Sequence, residues 1–299
     1  MKLKALTIGN LWGKKTFSIK LNEDVNIFSG INGSGKTTIL EIIYSILDGE
    51  IQDEETSHKY ESAQFQFTDD YQIDIVTTTE GSKNVTYRKG DVLLSSDEFQ
   101  RLFNYACVSS FDYAPYTSDE RMKLKEQYPW VQSELDFGLA RALQSYYMYV
   151  VSIMNPIRRA AEQKATKSEQ LLQYFRPLFE MQDKCDELFA PSLEWDRESD
   201  IVQFKLKKYD DKRITPHELS AGEKQMLILL INTLCQRKHE CIVLWDEPEL
   251  SMHLDWQKVL IKTMIEINPK MQLILTTHSP FVIYDGWENR VVNIQNVIK

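Results

Sequence analysis

The sequence of 299 residues lacks the features that mark a membrane or secreted protein. Its most apolar window, residues 137–154, is interrupted by Arg141, Gln144 and Ser145, whereas a membrane span needs about 20 mostly apolar residues. The first residues contain no apolar segment followed by a small-residue cleavage site. We therefore expect a cytoplasmic protein with no membrane partner, in which this window forms a buried helix.

Cysteines are few, and the 35 basic residues are outnumbered by 44 acidic ones. The four cysteines are scattered without the spacing of metal ligands, which favours buried thiols in a reducing compartment. The formal net charge of −9 and the pI of about 5.2 argue against a surface that coats nucleic acid, although a local basic groove is compatible with them. The sequence has no internal repeat and no low-complexity tract.

The apolar patterns predict an α/β fold. Short strands alternate with turns up to residue 28, and period-two alternation over residues 62–94 predicts antiparallel strands. After residue 201, strands alternate with helices, which is typical of a parallel sheet. We therefore expect a mixed sheet around a central phosphate-binding loop.

A helical segment interrupts this pattern between residues 118 and 189. Pro156 and Pro177 are expected to break it into two or three helices. Its apolar stripe recurs in steps of three or four, at Leu135, Leu139, Leu143, Tyr147, Val151 and Met154. The predicted domains are accordingly an N-terminal part over residues 1–117, a helical insertion over 118–192 and a C-terminal part over 193–299.

A glycine-rich loop follows the third strand and precedes an apolar-faced helix. It matches the pattern G-x-x-x-x-G-K-[ST] in full: Gly30, Ile31, Asn32, Gly33, Ser34, Gly35, Lys36 and Thr37, with Thr38 next. In such a loop the backbone amides cradle the α- and β-phosphates of a nucleotide. The Lys36 ammonium bridges the β- and γ-phosphates, and the Thr37 hydroxyl binds Mg²⁺. ATP or GTP binding is the prediction.

Two adjacent carboxylates follow a second apolar strand, "CIVLWDE". Ligands of α/β folds bind at the carboxyl ends of the strands, so Asp246 is suited to hold Mg²⁺ and Glu247 to polarise an attacking water. An ordinary acidic turn is the alternative.

Two further motifs complete an ordered set. "LSAGEKQ" contains Ser220, Gly222 and Glu223, and by itself would be a helix cap with a capping box. "LILTTHSP" places His278 directly after an apolar strand. Along the chain the four motifs are the phosphate-binding loop, "LSAGE", the two carboxylates and the histidine. In this order they resemble the motifs of the ABC-class P-loop ATPases. "DEPELSMH" and "TTHSP" are more narrowly similar to the soluble branch that includes SMC, RecF and OLD-family proteins and related anti-phage defence ATPases.

This resemblance covers residues 1–115 and 195–299, and it implies the roles of several residues. Two heads would sandwich ATP, with Ser220, Gly222 and Glu223 of one copy contacting the γ-phosphate bound by the other. His278 would sense the γ-phosphate, and residues 249–255 would form the D-loop across the interface. The implied assembly is a homodimer or a higher even-numbered oligomer.

The sequence departs from the family where a Q-loop glutamine is expected. Ser109, Ser110 and Asp112 stand there instead. Trp12 is a candidate for stacking on adenine, or a core or surface aromatic.

Three functions fit these motifs. The first is an ATPase that controls a separate effector, a nuclease or toxin, in anti-phage defence; residues 279–299 are too few for an appended nuclease domain, so the effector is expected on another chain. The second is a DNA repair or recombination ATPase of the RecF or SMC type that binds DNA directly. The basic cluster Arg158, Arg159, Lys164 and Lys167 is either part of a DNA contact or a solvated helix face. The third is a transporter nucleotide-binding domain, which the missing Q-loop glutamine disfavours.

Overall fold

The chain forms two units in a computed structural model that describes residues 1–49, 51, 59–102, 105–109, 118–162, 168–210, 212–237, 240–284 and 286–297. The first unit comprises Met1–Ser109, His239–Pro248 and Lys270–Lys299, and the second comprises Ser110–Lys238 and Glu249–Pro269. Each unit is assembled from separate stretches of chain. The division at residues 117 and 192 stays a prediction.

The described strands are β1 (Leu3–Leu11), β2 (Lys15–Lys20), β3 (Val25–Ser29), β4 (Ser62–Phe67), β5 (Tyr71–Thr77), β6 (Lys83–Lys89), β7 (Val92–Leu94), β8 (Tyr105–Ser109), β9 (Leu193–Trp195), β10 (Phe204–Leu206), β11 (Lys212–Ile214), β12 (Cys241–Asp246), β13 (Met271–Thr276) and β14 (Val291–Asn293). The described helices are α1 (Lys36–Asp48), α2 (Ser96–Gln100), α3 (Ser118–Gln127), α4 (Glu134–Glu162), α5 (Ser168–Phe189), α6 (Ala221–Cys235), α7 (Leu254–Ile267) and α8 (Pro280–Ile283).

The first unit contains an antiparallel and a parallel sheet. The antiparallel sheet has the order β2-β1-β4-β5-β6-β7, and the parallel sheet has the order β14-β3-β13-β12-β8. Alternating burial in β4 reflects a strand with one covered face, whereas all six residues of β13 are buried, as expected for a strand covered on both faces. One apolar core joins both sheets and α1 through residues such as Leu6, Phe65, Ile42 and Ile274. This architecture confirms the predicted α/β fold with a P-loop core, and its antiparallel and parallel strands lie in two sheets and not in one mixed sheet.

The register of the parallel sheet brings its functional positions to one edge. Asp246 at the end of β12 pairs with Thr276 at the end of β13 and with Ser109 at the end of β8. Thr276 in turn pairs with Phe28, near the end of β3. Because parallel strands end at the same edge, the glycine-rich loop and both carboxylates emerge side by side.

The second unit is mainly helical. Helix α4 packs along α6, and α5 contacts α6, α7 and β9. Buried and half-buried ion pairs tie these helices together: Lys224 on α6 to Asp136 on α4 (2.8 Å), and Arg237 to Glu180 on α5 (2.6 Å). A small antiparallel sheet, β11-β10-β9, completes the unit.

The expectation that Pro156 and Pro177 break the helical segment is wrong. Both prolines lie inside helices, Pro156 in α4 and Pro177 in α5. A proline inside a helix costs about 3 kcal/mol. Burying an aliphatic or aromatic side chain gains about 1.5–3 kcal/mol, so the packed face of α4 outweighs the proline.

The buried face of α4 also differs from the predicted stripe. It runs through Leu139, Leu143, Tyr146, Tyr149 and Ile153, whereas Val151 and Met154 are 60% and 50% exposed. Steps of four residues exceed the helical repeat of 3.6, so a stripe built from them drifts around the helix and leaves the core.

Within the described residues, no helix combines the length and the apolar character needed to cross a membrane. The apolar window at residues 137–154 lies within α4, where its buried side chains contribute to the core of the second unit.

Candidate functional site

The glycine-rich loop adopts the conformation that a phosphate cradle requires. Gly33 and Gly35 have φ angles of 75° and 103°, which side chains rarely tolerate. A Cβ on Gly35 would also lie 2.8 Å from the Trp12 ring. Gly35 is the N-cap of α1 and no side chain of the described residues caps that helix, so its first amides are available for an anion.

Two polar side chains of the loop are largely buried, those of Lys36 and Ser34. The Lys36 ammonium donates to the carbonyls of Gly30 (3.1 Å) and Ile31 (3.3 Å). Burial lowers the pKa of Lys36, and the carboxylates of Glu247 and Asp246 oppose that shift. The Ser34 hydroxyl is buried without a hydrogen-bond partner among the described residues. Of the two, Lys36 lines the cavity in which a phosphate would bind.

Asp246 faces the start of α1. The Thr37 hydroxyl donates to Asp246 Oδ1 at 3.1 Å. These are two hard oxygen donors beside a phosphate cradle, and Mg²⁺ prefers such a set, binding through one or two protein oxygens plus the phosphates of the substrate. The donor set therefore fits the predicted magnesium ion.

Thr276 connects the Asp246 carboxylate with the backbone of Glu247, and the sequence analysis does not identify it. Its hydroxyl donates to Asp246 Oδ1 and accepts from the Glu247 backbone amide at 3.0 Å. The side chain is fully buried at the end of β13. The signal in the sequence was the position of "TTH" at the end of a buried strand, but the contact depends on the register of β13 against β12.

Glu247 and His278 meet over the cavity that the loop encloses. Glu247 has a φ of 46°, a conformation unusual for a residue with a side chain. Its Oε1 lies 3.2 Å from Nε2 of His278. The cavity has a volume of about 430 Å³ and is lined by Trp12, Asn32, Gly33, Gly35, Lys36, Thr37, Thr38, Glu247 and His278.

The first unit thus brings together most of the predicted site residues, and their roles remain predictions. Trp12 lines the cavity and is 41% exposed, so it is not a core residue. The candidate replacements for the Q-loop glutamine, Ser109, Ser110 and Asp112, lie outside the residues whose side chains the structure describes. The same holds for Arg159, Lys164 and Lys167 of the basic cluster.

Ser220, Gly222 and Glu223 lie in the second unit, at the N-terminus of α6. Ser220 and Glu223 form a capping box: the Ser220 amide donates to Glu223 Oε2 at 2.8 Å, and the Ser220 hydroxyl accepts from the Glu223 amide at 3.4 Å. Ser220 itself is exposed. The helix N-terminus is therefore formed in advance and accessible to a ligand.

Gly222 is required by packing. A Cβ at this position would lie 2.4 Å from the Ser251 carbonyl oxygen, in the predicted D-loop. Real Cβ atoms do not approach so closely, so "LSAGE" and the D-loop are fitted to each other at this glycine.

We expect Gly222→Ala to destabilise the second unit by about 1–3 kcal/mol, because the added methyl group must displace the Ser251 backbone. Without that contact, alanine would stabilise a helix by up to about 1 kcal/mol relative to glycine. Urea unfolding of Gly222→Ala and of the neighbouring exposed Ala221→Ser, as a control, measures the difference. A gain in stability for Gly222→Ala would contradict the close contact.

The family of the chain follows from its similarity to known proteins. The family model "AAA domain, putative AbiEii toxin, Type IV TA system" matches residues 25–283. The Septu protein PtuA of Bacillus thuringiensis is 22% identical, over 97% of this chain and 75% of the relative. The Retron Vc95 probable ATPase of Vibrio cholerae serotype O1 biovar El Tor is 23% identical, over 87% of this chain and 67% of the relative.

A solved structure shares the fold. It is an SMC head bound to the C-winged helix domain of ScpA, with a TM-score of 0.60 at 13% identity, and the match covers 98% of this chain and 94% of that one. At this identity the likeness concerns the fold alone. The chain therefore has the fold of an ABC-type ATPase head, and it belongs to the family "AAA domain, putative AbiEii toxin, Type IV TA system", as a P-loop ATPase of the SMC, RecF and OLD type.

Proposed function

We propose that this protein hydrolyses Mg-ATP, dimerises when ATP binds, and thereby controls a separate effector protein in anti-phage defence. The observation that carries the proposal is the single cavity lined by the phosphate-binding loop, Glu247 and His278, with Asp246 bonded to Thr37 beside it. Its relatives PtuA and the retron ATPase support the defence context.

The residues of the cavity would have different roles in ATP hydrolysis. The amides around Gly33 and Gly35, together with Lys36 and Ser34, would hold the phosphates of ATP. Thr37 and Asp246 would hold Mg²⁺, which when bound neutralises charge on the phosphate oxygens.

Glu247 would accept a proton from the attacking water. Its Oε1 is held by His278 Nε2 at 3.2 Å, and its backbone amide is held by Thr276, so both ends of the residue are fixed. General base catalysis needs such a carboxylate within hydrogen-bond reach of the water, and it contributes about 10²–10⁴-fold.

The signature residues would act on ATP bound by a second copy. This chain has one phosphate-binding loop and one signature, and Ser220 at the N-terminus of α6 is exposed. A helix N-terminus carries partial positive charge and free amides, which suit the γ-phosphate of the other copy. A dimer, or a higher even-numbered assembly, would thus have two shared sites.

Thr276 acts here as a positioning residue, and its hydroxyl can be removed without changing the side chain's shape. We expect Thr276→Val to lower kcat by roughly 10- to 100-fold, the usual effect of losing a group that orients a metal ligand. The KM for ATP should change far less, since the phosphate cradle is intact. Thr276→Ser should restore most of the rate.

Steady-state ATP hydrolysis measures this effect, with Thr233→Val as a control for a buried threonine in the second unit. Equal rates for Thr276→Val and Thr276→Ser would show that the Thr276 hydroxyl does not position Asp246 and Glu247.

Native mass spectrometry of the Glu247→Gln protein, produced from its own locus, tests the proposed function. With Mg-ATP we expect an even-numbered assembly that carries a second protein. Two results together would instead favour a DNA repair or recombination ATPase. They are a homodimer without a second protein and a wild-type rate of ATP hydrolysis that duplex DNA stimulates. A monomer that ignores ATP would overturn the proposal.

A further inference from the structure

The second unit has a cavity of its own, of about 390 Å³, between α4, α5 and the segment that follows β9. Its walls are rich in aromatic rings, including Tyr146, Phe175, Phe179 and Trp195. Phe175 stacks on Phe179 with ring centres 6.0 Å apart, and Tyr146 packs against Trp195 at 5.7 Å. Such walls suit an aromatic ring, which gains from offset or edge contacts as well as from burial.

A buried amide in this cavity lacks one hydrogen bond. Gln182 is 6% exposed, and its Nε2 donates to the Tyr146 hydroxyl at 3.3 Å. Its Oε1 has no hydrogen-bond partner among the described residues. A buried polar atom without a partner costs about 1–3 kcal/mol and is rare in native proteins. The side chain of Gln182 lines the cavity, so a rotation of its amide group would let a donor carried by an occupant reach this oxygen.

The rim of the cavity combines exposed apolar side chains with charged ones. Leu172, Phe179 and Ile201 line it and are 60%, 43% and 51% exposed. Of the charged residues in the lining, Arg197 and Asp196 are already ion-paired with other residues of the chain, whereas Asp200 has no ion pair in the described part of the chain. An exposed apolar rim marks a surface that meets another protein, and an unpaired carboxylate disfavours an anionic ligand and favours a basic group.

We propose that this cavity is the docking site for a partner protein that inserts a tyrosine side chain next to a basic residue. The ring fills the aromatic cavity, its hydroxyl donates to Gln182 Oε1, and the basic side chain pairs with Asp200. The neighbouring residues of the partner cover Leu172 and Ile201, which a free small molecule of the size of phenol would leave exposed. The inference is independent of the ATP site.

Three blocked tripeptides probe this site on the full chain. They have the sequences lysine-tyrosine-lysine, lysine-phenylalanine-lysine and glutamate-tyrosine-glutamate, and p-cresol serves as the probe for a small ligand. Binding is followed by NMR titration against the wild type, Gln182→Leu and Asp200→Asn. Because leucine has nearly the shape of glutamine and removes the unpaired oxygen, Gln182→Leu is expected to fold.

We expect the lysine-tyrosine-lysine peptide to bind the wild type roughly 2- to 10-fold more tightly than the phenylalanine peptide, as one net hydrogen bond would give. This preference should disappear in Gln182→Leu. The advantage over the glutamate-tyrosine-glutamate peptide should shrink in Asp200→Asn.

Equal binding of the tyrosine and phenylalanine peptides to the wild type would overturn the proposal, and so would the absence of saturable binding by any peptide. If p-cresol binds as tightly as the lysine-tyrosine-lysine peptide, the cavity is a small-molecule site and the docking proposal fails.

Discussion

Replacing Glu247 by glutamine is expected to slow ATP hydrolysis by ~10²–10⁴-fold while ATP still binds. Glutamine keeps the shape of the side chain and an oxygen that can face His278, but it cannot take a proton from water. The phosphate cradle and Lys36 are unchanged, so binding energy is retained. Phosphate release under steady-state conditions and equilibrium binding of a fluorescent ATP analogue measure the two effects separately.

Glu240→Gln is the matched control, because Glu240 directly precedes β12, the same strand that Glu247 follows, and is ion-paired with the N-terminal amine. This variant should hydrolyse ATP at the wild-type rate. If Glu247→Gln turns over as fast as Glu240→Gln, Glu247 is not the general base.

Lys36→Ala is expected to lose ATP binding itself, by on the order of 100-fold or more. The lysine ammonium would make charge-assisted hydrogen bonds to the phosphates, each of which is worth about 1.5–3 kcal/mol, and two such bonds account for a loss of this size. Burial lowers the pKa of Lys36, and a bound anion would favour its charged form in addition to the carboxylates of Glu247 and Asp246. Isothermal titration with ATP measures the loss.

Lys14→Ala provides the comparison, since Lys14 is an exposed cation in the turn that follows Trp12. Its affinity for ATP should stay within about threefold of the wild type, because an exposed charge is screened by solvent. Equal losses for Lys14→Ala and Lys36→Ala would mean that general charge, and not the position of Lys36, attracts the nucleotide.

Much of the candidate site could be predicted because its signals are local in the sequence. The conformation of the loop from Gly30 to Thr37 depends on its own glycines, which adopt positive φ angles. The apolar strand before Asp246 fixes where that carboxylate emerges, since parallel strands of one sheet end at a common edge.

Thr276 was missed because its role is not local. Its hydroxyl reaches Asp246 only through the pairing of β13 with β12, and a threonine at the end of a buried strand is unremarkable without that register. The packing contact of Gly222 is likewise not visible in the sequence. The sequence suggests a signature motif or a helix cap there, but the Ser251 carbonyl that approaches Gly222 belongs to a segment nearly thirty residues further along the chain.

The helical segment shows where local rules mislead. Pro156 and Pro177 predict breaks, yet α4 and α5 continue through them because tertiary packing stabilises the helices by more than the prolines cost. The spacing predicts the helix correctly, but the predicted apolar stripe leaves the buried face of α4 near Val151.

A mixing experiment shows whether two copies complete each other's ATP sites, as we propose. Lys36→Ala destroys the phosphate cradle of its own chain and leaves the signature intact. Ser220→Asp has the opposite effect: aspartate still caps the helix but places a negative charge where the γ-phosphate of the other copy would lie. Ser220→Asn, which keeps the cap without the charge, serves as the control for folding.

Each variant alone should be inactive. If the sites are shared, an equal mixture should regain ATP hydrolysis, because one of the two sites in each mixed dimer is intact. Where the two chains pair at random, half of the dimers are mixed and the rate should be about a quarter of the wild-type rate. A mixture that remains as inactive as its components would contradict the account, because it would mean that the signature does not act on the ATP of the other copy.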